Sequence, residues 1–110
     1  MARQDATLMA SGVLGINQAA NTLVALINAP GPGRYRVWGH GRHSLVDGLK
    51  FTSPMLTPLI LSGGAGDTVA FGPFVVDITN TTSGINVALN TATGASDSAS
   101  VTIYAERINH

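Results

Sequence analysis

Arg34-Tyr35-Arg36-Val37-Trp38-Gly39-His40-Gly41-Arg42 is the stretch whose reading decides the fold. At a period of two, Tyr35, Val37, Gly39 and Gly41 fall on one side and Arg34, Arg36, Trp38, His40 and Arg42 on the other. Successive side chains of a strand point to opposite faces, so the stretch reads as a strand with an apolar side and a cationic side. The cationic side gathers three of the six Lys and Arg residues, the single Trp and one of the three His. Guanidinium groups beside an indole suit a contact surface. An equally simple alternative lays the arginine stems over the indole with their heads in water.

Working outward, Ala29-Pro30-Gly31-Pro32-Gly33 is a turn of fixed and permissive φ angles, which joins an upstream strand over 22–28. Ile16, Ala19, Ala20, Leu23 and Ile27 fit helical spacing and Leu23, Ala25 and Ile27 equally fit a strand; a loose or extended N-terminal arm over 1–20 is expected, with the folded domain spanning 21–110. Downstream, Leu45-Val46 and Leu49-Lys50-Phe51 flank Asp47-Gly48, a strong hairpin dipeptide. Pro54 and Pro58 confine the next residues to a loop or an edge. Leu59-Ile60-Leu61 is a short strand, Ser62 to Asp67 a tight connection, and Thr68 to Phe71 a strand. Gly72-Pro73 suggests a bulge or kink before Phe74 to Ile78. After a turn at Asn80 to Gly84, Ile85, Val87 and Leu89 alternate with Asn86, Ala88 and Asn90.

The closing segment sets Ala99, Val101, Ile103 and Ala105 against Ser100, Thr102, Tyr104 and Glu106, the clearest alternation in the chain. Short strands separated by Gly/Pro/Asn turns at about 8–12 residue spacing predict an all-β, single antiparallel β-sandwich or jelly-roll-like domain.

Composition narrows the function. At 110 residues the chain suits one domain with one core. There is no Cys, hence no disulfide framework and no thiolate chemistry. Only 11% of residues are charged and the formal net charge is zero, against about a quarter charged in ordinary domains. Such a surface repels its neighbours little and favours association, so a homo-oligomer or larger assembly is expected. Without a basic excess, nucleic acid is not expected as a partner. No apolar run is long enough for a membrane span, and the first residues lack the pattern of a secretory signal.

No constellation of chemistry stands out. His40, His43 and Asp47 carry donors suited to a metal, but a strand sends His40 and His43 to opposite faces. Gly63-Gly64-Ala65-Gly66-Asp67-Thr68 lacks the Lys and following helix of a phosphate loop. His40, His43 and His110 offer no triad, and Asp47, Asp67, Asp77, Asp97 and Glu106 are scattered. Asn80-Thr81-Thr82 fits a glycosylation acceptor and reads more simply as a turn. No catalytic residue, cofactor or metal is expected.

Ala29 to Gly39, the Leu61 to Asp67 turn with Phe71-Gly72-Pro73 after it, and the Ala99 to Tyr104 strand together resemble the head decoration, or cement, proteins of tailed bacteriophages. The resemblance spans residues 20–108 and brings no site residue with it. It implies a non-enzymatic β-sandwich of the virion, made in the host cytoplasm, that oligomerises on the capsid surface and binds across major capsid protein subunits. Arg34, Arg36, Trp38, His40 and Arg42 would then meet a copy of the chain or an acidic patch of the shell. The competing expectation is a carbohydrate- or receptor-binding module with Trp38 as its platform.

Overall fold

A computed structural model describes residues 7–28, 31–53, 59–78 and 84–108. Eight strands form there: β1 (Leu8–Leu14), β2 (Leu23–Ile27), β3 (Gly33–His43), β4 (Leu49–Ser53), β5 (Leu59–Leu61), β6 (Thr68–Ile78), β7 (Ile85–Leu89) and β8 (Ala99–Arg107). They make two antiparallel sheets in the orders β1-β8-β3-β6 and β2-β7-β4-β5. The pairs β1·β8, β2·β7, β3·β6 and β4·β5 are nested. The chain thus runs as one long hairpin doubled back between β4 and β5, then rolled so that consecutive pairs fall in opposite sheets. That winding is a jelly roll.

The core is what period-two alternation places between the sheets. Tyr35 and Val37 of β3, Phe51 of β4, Ile85, Val87 and Leu89 of β7, and Ile103 of β8 are fully enclosed. Gly39 and Gly41 point inward as well, and the space a side chain would take is already filled. A Cβ on Gly39 would lie 3.0 Å from the Phe71 ring, and one on Gly41 would lie 2.8 Å from Leu49 Cδ1. The expected bulge is present. Between the pairs Val37↔Phe74 and Gly39↔Phe71, the single residue Trp38 faces Gly72 and Pro73, with Gly72 at φ +84°.

Two expectations are corrected. Residues 8–14, assigned to an arm, are β1, paired along its full length with β8. Leu8, Ala10, Gly12 and Leu14 turn toward the core, but Met9 and Val13 are apolar and exposed. Apolar residues on both faces erase the alternation that would have marked the strand. The domain therefore begins well before residue 21.

Asp47-Gly48 is a turn, with Asp47 at φ +51°, yet it does not close a hairpin. Leu45 and Val46 are not in a strand, and the chain crosses from β3 in one sheet to β4 in the other. The dipeptide supplies the left-handed residue, and the partners available to β3 decide where the chain goes next. The turn residues Ala29-Pro30 and 80–83, the segment 54–58 and His110 lie outside the described residues.

Candidate interface on the outer face of the first sheet

Arg34, Arg36, Trp38, His40 and Arg42 all project from the outer face of β3, four of them exposed and Trp38 half-buried. The register of the sheet surrounds each with a definite neighbour. Arg34 sits opposite Asp77 of β6 and its Nε donates to Oδ1 at 3.1 Å. Arg36 sits opposite Glu106 of β8 and its Nη1 donates to Oε1 at 3.1 Å. Arg42 donates from Nε to the Gly66 carbonyl at 2.8 Å. His40 lies between Thr102 and Ala70.

Trp38 lies opposite Tyr104, and the two rings stack with centroids 5.6 Å apart and planes 16° from parallel. An offset stack of this kind is a favoured aromatic geometry. The row continues on both sides. Met9 of β1 is opposite Tyr104, and a Cβ on Gly72 of β6 would come within 2.9 Å of Trp38 Cα. A band of Met9, Tyr104, Trp38 and Pro73 therefore crosses all four strands at mid-sheet.

This geometry changes how the face reads chemically. Two of its three arginines are matched by carboxylates of the same sheet, so the stripe that looks cationic along one strand is largely self-neutralised across three. Both pairs are well exposed, with side chains 59% and 66% accessible at Arg34–Asp77 and 47% and 36% at Arg36–Glu106. Pairs of that kind contribute about 0–1 kcal/mol to stability. Among the described residues no carboxylate is paired with Arg42. Trp38 is half-buried, with one face of its ring stacked on Tyr104.

His43 ends the same strand on the opposite side. It is 3% exposed. The Leu45 N–H donates to Nδ1 at 2.8 Å, which fixes the proton on Nε2, and Nε2 lies 2.9 Å from the Thr91 carbonyl that accepts it. Gly48 lies flat on the ring, where a Cβ would be 2.1 Å from Cγ. The His43 carbonyl accepts from Gly66 N at 2.8 Å.

Asp47 completes this knot of loops. Its Oδ1 accepts from Gly63 N at 3.0 Å, and its carbonyl accepts from Asn90 Nδ2 at 2.8 Å. Both imidazole nitrogens are thus committed to the backbone, which leaves none for a metal or a substrate. Among the described residues no group of three His, Asp or Glu side chains is placed to hold a metal ion. The parity of residue 43 with Tyr35, Val37, Gly39 and Gly41 was the available signal that it faces inward.

The outer face of the second sheet is of another kind. Leu23, Leu26 and Ile60 are 40–46% exposed there, Ala88 is covered, and Lys50 donates to Asn21 Oδ1. No protein-family model matches the chain, and no curated protein matches it in sequence.

Proposed function

We propose that the protein is a non-enzymatic structural protein of a phage virion, which decorates and stabilises the capsid by binding across major capsid protein subunits, and that the outer face of β1-β8-β3-β6 is the surface that docks. The observation that carries this reading is the Met9-Tyr104-Trp38-Pro73 band, flanked by internally balanced charges. At strand spacings of about 4.8 Å and a rise of about 3.4 Å per residue, the face measures about 19 by 30 Å, or about 570 Å². That approaches the roughly 800 Å² a standard interface buries on each partner. The outer face of the second sheet, five residues long, offers only about 320 Å² by the same estimate.

Aromatic and arginine side chains dominate binding energy at interfaces. Self-neutralised pairs lower the cost of bringing a weakly charged surface against another protein, and a symmetric shell multiplies a modest contact. The jelly roll itself occurs among viral capsid and lectin domains, which is support at the level of fold only.

The test is occupancy on purified shells of the encoding phage stripped of this protein. Trp38→Ala and Arg42→Glu are each expected to weaken binding by about 2 kcal/mol, roughly thirtyfold. Arg34→Glu should do less, since its charge is already balanced by Asp77. Equal occupancy by wild type and both strong variants would overturn the assignment.

A further inference from the structure

The two edges of the first sheet are not equivalent. The β1 edge is turned onto the second sheet, so closely that a Cβ on Gly12 would sit 1.8 Å from the Val24 carbonyl oxygen. The β6 edge has no such cover among the described residues. β6 is eleven residues long, pairs with β3 on one side, and is the last strand in its sheet. Natural edge strands are guarded by shortness, lysines, prolines or bulges. β5, the corresponding edge of the second sheet, is only three residues long. In β6 the Gly72-Pro73 bulge interrupts the edge at its middle. Past it, Phe74-Val75-Val76-Asp77-Ile78 carries no cation and exposes Val75 at 59%.

We infer that residues 73–77 of β6 pair edge to edge with the same residues of a second copy of the chain, antiparallel and with Val75 opposite the partner's Val75, so that Pro73, which has no N–H to donate, ends the contact on each side. The product is one eight-stranded sheet about a twofold axis. Three features favour a copy as the occupant. A twofold contact must be self-complementary, and this register buries the exposed valine of each strand against its equivalent while aligning Phe74 with the partner's Val76.

Charge agrees as well. Asp77 lies beside the partner's Pro73, and the two Asp77 carboxylates are about four residues, or roughly 13 Å, apart along the strands, beyond the Debye length of about 8–10 Å. Each is also paired with its own Arg34. The chain's zero net charge adds no long-range repulsion. Finally, the pairing extends the proposed docking face without covering its aromatic band, since Trp38 lies one strand in.

A five-residue edge is a small contact and belongs with weak interfaces. The full chain without shells should therefore show a light-scattering mass that rises from one chain toward two as concentration reaches the high micromolar range. Val75→Lys should keep the mass at one chain throughout while retaining the wild-type melting curve, because Val75 is outward and exposed. The absence of Cys allows a second readout. Under mild oxidation, Val75→Cys should form a disulfide-linked dimer about a hundredfold faster than Val13→Cys on the covered edge, as expected when pairing raises the effective thiol concentration from about ten micromolar to about a millimolar. A wild-type mass that stays at one chain, or equal cross-linking from both positions, overturns the inference. Neither measurement involves a capsid, so its failure leaves shell binding untouched, and failure on shells leaves the dimer untouched.

Discussion

Replacing His43 by alanine is expected to lower the unfolding free energy by about 4 kcal/mol or more. Removing a buried ring costs about 3–5 kcal/mol. The Leu45 N–H and the Thr91 carbonyl would each lose a partner, at about 1–3 kcal/mol apiece if left dry. Water entering the vacated space recovers part of that. Because domains of this size are stable by only about 5–15 kcal/mol, the change should be plain in urea unfolding as a lower midpoint with an unchanged slope. His43→Phe separates the contributions, since it restores the volume and still leaves both backbone groups unpartnered. An alanine variant within about 1 kcal/mol of wild type would mean that the loop knot does not depend on the imidazole.

Gly12→Val carries the second large effect. The backbone of β1 meets that of β2 at Val24, and the atom in the way of any Cβ is a carbonyl oxygen, which has no rotamer to escape into. Overpacking of a rigid contact costs about 1–3 kcal/mol, occasionally more; here the strand must leave its place. The expected outcome is loss of hydrogen-exchange protection along β1, from Leu8 to Leu14, with β7 and the inner half of β3 still protected. Uniform protection as in wild type would show that the N-terminal strand can drift away from β2 at no cost. Local unfolding confined to β1 would show that this strand, although paired with β8 along its full length, also depends on the close backbone contact at Val24.

That contrast shows what the amino-acid pattern can and cannot carry. β3, β7 and β8 were legible because one face of each is apolar and the other polar, a property of the strand alone. The five outward residues of β3 were legible for the same reason. β1 was not, because Met9 and Val13 place apolar groups outside. Nor was the course of the chain after Asp47-Gly48, since the positive φ is local but the choice of partner strand is not.

The character of the candidate face needed register. Asp77 and Glu106 are 43 and 70 residues from their arginines. Only the alignment of β6 and β8 on β3 converts an apparent cationic stripe into paired charges around an aromatic stack. Register depends on cross-strand packing and on the one-residue offset at the Gly72-Pro73 bulge, neither of which has a period that one strand displays.

Hydroxyl-radical footprinting of the chain, free and bound to purified shells, tests the claimed docking face most directly, because Met9, Trp38 and Tyr104 are its most readily oxidised side chains and form one band. Binding should suppress oxidation at all three while Leu23, Leu26 and Ile60 on the opposite sheet react as they do in the free protein. Unchanged oxidation of the band with protection on the second sheet, or a chain that does not bind shells at all, contradicts the account.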